Sequence, residues 1–209
     1  VPDATSKQAE AWRGIRRAIP MSEATPERNT IEATMLLARR LQARDPAAGA
    51  ELAERFRESL LRFCWGYLGS TDQAEDAVQD IFCKVAAAET IPELFRPWLY
   101  KVARNHCLTL RRNRAARKDN RPLPAASQVF HALTGNLTRL AREEAQDQLI
   151  EFVHSLPEDQ REMLRLRYVE GLSRAEIAEV LEVGESTVKA RLFDAMQVLR
   201  RHAVGLMGP

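Results

Sequence analysis

The stretch SRAEIAEVLEVGESTVKARL, residues 173–192, decides the reading of this chain. Ser173 and Glu176 stand three positions apart at its head, the spacing at which a hydroxyl and a carboxylate satisfy the free amides of a helix start. Ile177, Ala178 and Leu181 then share one helical face, and Ala178 is small enough to let a second helix come close. Glu182, Val183 and Gly184 make a three-residue turn in which Val183 plugs the junction and Gly184 begins the next helix at no steric cost. In that next helix Val188, Leu192, Ala195 and Leu199 fall in one narrow stripe that must face a core. The opposite side presents Ser186, Ala190, Phe193, Asp194 and Gln197, flanked by Thr187 and Lys189. Small polar and basic residues at the N-terminal end of such a helix suit the major groove of duplex DNA. Lys189 and Arg191 can reach phosphates; Arg191 lies nearer the buried edge, where a phosphate contact or a structural role fits better than base reading. An amphipathic hairpin in an ordinary bundle is the plainer alternative, and it has no need of the capping box, the small alanine and the plugged turn together.

Outward from this motif the chain reads as all-α. Ala, Leu, Arg and Glu dominate its 209 residues, and glycine occurs only 9 times. Helices are expected over 141–155, 157–170, 173–181 and 185–202, so that 141–204 forms one compact unit. A second helical unit is expected over 31–118, with helices at 31–44, 48–68, 71–88 and 97–118. Between them, Pro122, Pro124, Ser127, Gly135 and Asn136 mark 119–140 as a flexible linker. Residues 1–30 carry three prolines and weak periodicity; an N-terminal extension, disordered or loosely helical around 9–18, is expected, with Met21 a second candidate start.

The net charge of +2 hides a segregation. Between Arg96 and Lys118 there are eight Lys or Arg and no carboxylate, whereas residues 71–80 hold four carboxylates and no Lys or Arg. Such a split assigns one surface to a polyanion and another to a different partner. On the basic helix Leu99, Val102, Ala103, His106 and Leu110 form the expected apolar face, with His106 a core residue and not a ligand. Lys101, Arg104, Asn105, Arg111 and Arg112 form the polar face. Trp98 and Tyr100 stand beside it and Phe95 precedes it, and aromatics next to cations are equipment for unstacked single-stranded bases. Core packing is the competing reading for Trp98 and Phe95. On the acidic helix Ala74, Val78, Ile81, Phe82 and Val85 face inward, while Asp76, Gln79, Asp80 and Lys84 face outward. A carboxylate-rich face repels phosphates, so its expected use is a basic protein partner.

Cys64, Cys83 and Cys107 are widely spaced and odd in number, which argues against a disulfide framework or a zinc site and for a reducing cytoplasm. No run of about 18 apolar residues suits a membrane span, and the N-terminus lacks an apolar signal core. The four histidines are scattered, and the carboxylates of the acidic helix have no partner groups. No catalytic residue, metal or cofactor is therefore expected, and an enzyme such as a helical nuclease is disfavoured.

Four stretches in order now resemble the extracytoplasmic-function (ECF, group 4) sigma factors of the sigma-70 family. DQAEDAVQDIF, residues 72–82, resembles region 2.2; FRPWLYKVARNHCL, residues 95–108, with the basic run after it, resembles regions 2.3–2.4. LPEDQREMLRLRYVEGLS, residues 156–173, resembles region 4.1, and the helix-turn-helix resembles region 4.2. The resemblance covers about residues 33–201. It implies that Asp76, Gln79 and Asp80 bind the coiled coil of the polymerase β′ clamp. It implies that the basic helix and its approach (Phe95, Trp98, Lys101, Val102, Arg104, Asn105, Arg111, Arg112) melt and hold the −10 element, with Val102 and Asn105 at a flipped-base pocket. The linker would thread toward the active-site channel and RNA exit path. The C-terminal unit would read the −35 element through Ser186, Thr187, Lys189, Ala190, Arg191, Phe193 and Asp194, and touch the β flap. An anti-sigma partner is also implied. The chain departs from the family twice: Glu182 stands where glycine is frequent, at a cost of about 1 kcal/mol if the turn is left-handed, and Asp194 stands where a basic residue is common. A conventional LuxR-like regulator is the alternative, but it needs a sensor domain, usually with strands, and 30–118 shows none.

Overall fold

The computed structural model describes residues 31–116 and 156–206; the expected extension 1–30, linker 119–140 and helix 141–155 lie outside them. The described residues form helices joined by short turns and loops and contain no strand. In chain order the helices are α1 (Ile31–Gln42), α2 (Pro46–Leu68), α3 (Thr71–Ala87), α4 (Phe95–Ala116), α5 (Glu158–Leu164) with a π-helical turn Arg165–Val169, α6 (Arg174–Leu181) and α7 (Glu185–Leu206). They fall into two compact units, one holding α1–α4 together with α6, the other holding α5, the π turn and α7.

Helix boundaries in the first unit follow from local chemistry. Asp45 caps α2 by accepting from the Ala47 amide at 2.9 Å, and Pro46 fills the first turn, where no amide hydrogen is needed. Gly69 closes α2 in the left-handed region, φ 67°, and Ser70 caps α3. Arg44 is also left-handed, φ 58°, and its guanidinium donates to the carbonyls of Ala86 and Ala88 at the C-terminal end of α3. Gln42 accepts from the Ile91 amide and donates to the Glu89 carbonyl, which pins the loop leading into α4.

The core of this unit is an aromatic seam between α2 and α4. Phe56 meets Phe95 edge-on with ring centres 5.9 Å apart, and Phe63 meets Tyr100 edge-on at 5.1 Å. Leu37 of α1, Leu60 of α2 and Ile81 and Val85 of α3 fill the space around it. The seam corrects two expectations. Phe95 is not a loop residue beside the cationic face; it opens α4 and is 0% exposed. Tyr100 is buried as well. The buried face of α4 runs through Phe95, Leu99, Tyr100, Ala103 and Cys107, leaving Val102, His106 and Leu110 at its half-buried margin. The large aromatic areas, not the aliphatic period, set the rotation of the helix.

In the second unit Met163 and Leu164 of α5 are buried where it packs on α7, which buries Val188, Leu192 and Ala195; Leu156 and Leu166 are buried as well. The single helix expected over 157–170 is divided: α5 gives way at Arg165 to a π turn, closed by the Glu170 amide donating to the Arg165 carbonyl at 3.1 Å. The wider turn places Arg165 and Leu166 side by side in the interior.

Because Phe95 packs in the core, Phe95→Ala is expected to lower unfolding free energy by about 3–5 kcal/mol. Denaturant titration of the purified chain checks this; a change within a few tenths of a kcal/mol would return Phe95 to the surface.

Candidate nucleic-acid interface

The outward face of α7 emerges as its periodicity requires. Val188, Leu192 and Ala195 are buried, while Ser186, Lys189, Ala190, Phe193, Asp194 and Gln197 are exposed and Thr187 and Arg191 are half-buried. Phe193 is 57% exposed, a large apolar ring held in water on a surface of small and charged groups. Arg191 pairs with Asp159 of α5, so its structural role is realised in this state. The side chain of Leu199, the last of the apolar stripe, lies outside the described residues.

The helix before it is built as its sequence dictates. Ser173 Oγ accepts from the Glu176 amide at 3.2 Å, and the Ser173 amide donates to Glu176 Oε2 at 2.8 Å, so both halves of the capping box are present. Ile177 and Val180 are buried, and Ala178 and Leu181 half-buried. The turn is left-handed at Glu182, φ 57°, ψ 43°, with the Val183 amide donating to the Ala178 carbonyl at 3.1 Å. A glycine would take this conformation without strain, and the chain has placed a carboxylate there.

On α4 the cations form a half-exposed ridge. Lys101, Arg104 and Arg111 are half-buried, and Asn105 and Arg112 are exposed. Trp98, half-buried, rests against Phe95 with ring centres 5.8 Å apart. Phe95 thus supports Trp98 from beneath, and Trp98 is the aromatic of this segment that remains accessible.

The acidic helix α3 shows the expected outward face: Glu75, Asp76, Gln79, Asp80 and Lys84 are exposed above buried Ala74, Ala77, Val78, Ile81 and Val85. Beside it lies a groove of about 490 Å³, bordered by Asp76, Gln79 and Phe82 of α3 and by Leu52, Arg57 and Leu61 of α2. An apolar floor with a carboxylate rim suits a helix that carries both apolar and basic residues. The rim is legible in the sequence and the floor is not, because a groove between two helices leaves no mark in the period of either.

Two titratable groups depart from simple expectation. His106 of α4 is nearly buried, yet it touches polar groups of α3: Lys84 Nζ donates to its Nδ1 at 2.6 Å, and its Nε2 lies 3.3 Å from Asp80 Oδ2. Burial first, and the Lys84 charge second, hold the imidazole below its ordinary value of 6.5, against the pull of Asp80. Among the described residues no cluster of His, Cys, Asp and Glu suits a metal ion. In the second unit, burial pushes the Glu162 carboxyl up to about 7, opposed by the nearby Arg165 charge.

Comparison with known proteins joins these surfaces. Residues 52–117 match the family Sigma-70 region 2, and residues 146–199 match Sigma-70, region 4; together they take in more than half of the chain. The ECF RNA polymerase sigma factor SigW of Bacillus subtilis is 26% identical over 75% of this chain and 89% of its own length. The ECF RNA polymerase sigma-E factor of Haemophilus influenzae is 26% identical over 82% of this chain and 95% of its own. The RNA polymerase sigma-H factor of Pseudomonas aeruginosa is 28% identical over 81% and 93%. Among solved structures, CnrH in complex with the cytosolic domain of CnrY superposes with a TM-score of 0.56 at 22% identity, over 79% of this chain and 94% of that one, which shows a shared fold.

The raised Glu162 predicts a pH dependence. Folding takes up a proton at this site between the ordinary value of 4.5 and about 7, so its contribution is complete below 4.5 and is lost as the pH rises through about 7. Glu162→Gln, which carries no charge at any pH, is expected to melt at a higher temperature than the parent at pH 8 and to match it near pH 4.5. Parallel melting curves for the two chains from pH 4.5 to 8 would contradict the assignment.

Proposed function

Because the chain belongs to the sigma-70 family and is an ECF-type RNA polymerase sigma factor, we propose that it acts as a group 4 sigma by gripping a promoter at two separate places. Residues 31–118 form the body that docks on core polymerase and holds the melted −10 element. Residues 141–204 form the body that reads the −35 duplex, and 119–140 tether them. The observation that carries this reading is the outward face of α7. A helix that buries Val188, Leu192 and Ala195 leaves Ser186, Lys189, Ala190, Phe193 and Asp194 free at the position of a recognition helix.

The chemistry is binding, not catalysis. Lys189 neutralises phosphate. The Phe193 ring meets a thymine methyl group, and the Asp194 carboxylate, which repels phosphate, accepts from a cytosine amino group. On α4, Lys101, Arg104, Arg111 and Arg112 follow the backbone of the separated strand, Trp98 stacks on a base, and Val102 and Asn105 border the pocket for a flipped one. Phe95, buried beneath Trp98, acts through it. Polymerase opens DNA where these contacts favour the melted strand over the duplex. The Asp76, Gln79 and Asp80 edge of α3 and the groove beside it receive the coiled coil of the β′ clamp, and the C-terminal body meets the β flap. CnrH was solved with the cytosolic domain of CnrY; a protein of that kind, an anti-sigma factor, is the proposed regulator. No described helix is long and apolar enough to cross a membrane, and the proposed site of action is the cytoplasm.

Core polymerase reconstituted with this chain is expected to give promoter-dependent run-off transcripts. Asp76→Lys should weaken core binding by about tenfold with helix content unchanged by circular dichroism. No transcript on any cognate template, or core affinity indifferent to Asp76→Lys, would overturn the corresponding half of the proposal. Lys189→Ala should weaken −35 binding uniformly and reduce its salt slope by about one, whereas Phe193→Ala should change which base is preferred at one position. Competition binding by the holoenzyme on a panel of −35 variants separates the two effects.

A further inference from the structure

His106 sits at the margin where α4 packs on α3, and its side chain is only 9% exposed. A leucine would serve packing alone at this place. An imidazole brings two polar atoms that need partners, and the groups beside both come from the outward edge of α3. Lys84 Nζ lies 2.6 Å from Nδ1, and Asp80 Oδ2 lies 3.3 Å from Nε2. Nε2 is closed off from water and has no aligned hydrogen bond, so Asp80 is the group toward which a proton on it would turn. Asp80 and Lys84 stand four residues apart, the spacing at which a carboxylate and an ammonium on one helix can meet directly; here both reach the same ring. An ammonium has donors only, so a hydrogen bond to Nδ1 requires the lone pair there and the single ring proton at Nε2. Among the described residues, the charges that act on the ring are those of Lys84 and Asp80; α1, α2 and α6, which also pack on α4, bring none to it.

We propose that His106 is a positioning residue for docking on core polymerase: carrying one proton, it accepts from Lys84 at Nδ1 and donates from Nε2 to Asp80, and so holds both side chains of the docking edge in one arrangement. This rests on the reading of the Asp76, Gln79 and Asp80 edge as the surface that meets the β′ clamp. A second proton on the ring undoes the arrangement. It goes to Nδ1, from which Lys84 must then withdraw, and the cation so formed pairs with Asp80 and offsets a charge that a basic partner uses. Burial and the Lys84 charge hold the ring below its ordinary 6.5, so the doubly protonated form gathers only in acid.

Imidazole nitrogen spectra of the 15N-labelled full chain test the contact, with the His106 signals assigned by their loss in His106→Gln. At pH 7.5 the proton is expected on Nε2 and the lone pair on Nδ1. Core affinity tests the role. Between pH 7.5 and 5.5 the parent should lose about threefold more affinity than His106→Gln, whose amide can donate to Asp80 but takes up no proton. At pH 7.5 His106→Gln should bind core as the parent does, whereas His106→Leu should bind about threefold more weakly with helix content unchanged by circular dichroism. Lys84→Met removes the charge that opposes the second proton and should move the parent's acid loss to higher pH. A proton on Nδ1 at pH 7.5 overturns the proposal. The same pH profile for parent and His106→Gln overturns it too, provided Asp76→Lys weakens core binding. If Asp76→Lys changes nothing, the reading of the α3 edge fails first and takes the role of His106 with it.

Discussion

The edge-to-face packing of Phe95 and Tyr100 on Phe56 and Phe63 fixes the rotation of α4 about its own axis, and the surface chemistry of the first unit follows from that rotation. With these rings inside, Lys101, Arg104 and Arg111 come to the margin, Asn105 and Arg112 come fully outward, and Trp98 stands on the rim with Phe95 as its floor. A cationic ridge needs such an anchor. Like charges repel along a helix, so the stability of α4 must come from the opposite face, where burying two large aromatic rings outweighs the cost.

The same helix meets its electrostatic opposite on two sides. Toward α3, His106 lies between Lys84, whose Nζ is 2.6 Å from its Nδ1, and Asp80, whose Oδ2 is 3.3 Å from its Nε2. Toward α6, Arg96 and Lys101 meet Glu176 and Glu182. A chain with a formal charge of only +2 thus keeps strong local fields of both signs. Each field is partly quenched by its neighbours: the cations of α4 by the carboxylates of α6, and Asp80 of α3 by the adjacent Lys84 and His106.

Much of this was legible in the amino-acid sequence because it is periodic or local. The stripe of Val188, Leu192 and Ala195, the Ser173–Glu176 capping box and the outward carboxylates of α3 all follow from spacing and residue type within a few turns. What escaped depends on contacts between elements distant in sequence. Phe95 and Trp98 are three residues apart and alike in composition, yet one is core and the other rim. Only the position of Phe56, some forty residues earlier, separates them. Tyr100 is likewise buried by a distant partner, Phe63 of α2. The π turn at Arg165–Val169, closed by the Glu170 amide on the Arg165 carbonyl, leaves no mark in the helical period of residues 157–170. The groove between α2 and α3 belongs to neither helix alone. The Asp159 partner of Arg191 lies 32 residues upstream, beyond the reach of any local rule.

The central claim is that two helical bodies of one sigma factor read separate stretches of a promoter, and only as part of polymerase. Selecting bound sequences from a randomised DNA pool with the reconstituted holoenzyme tests it most directly. The account predicts two enriched blocks separated by a spacer of fixed length, the upstream block shifting when Phe193 is replaced and the downstream block losing enrichment when Trp98 is replaced. A single enriched block, retrieved equally well by the chain without polymerase, would contradict it.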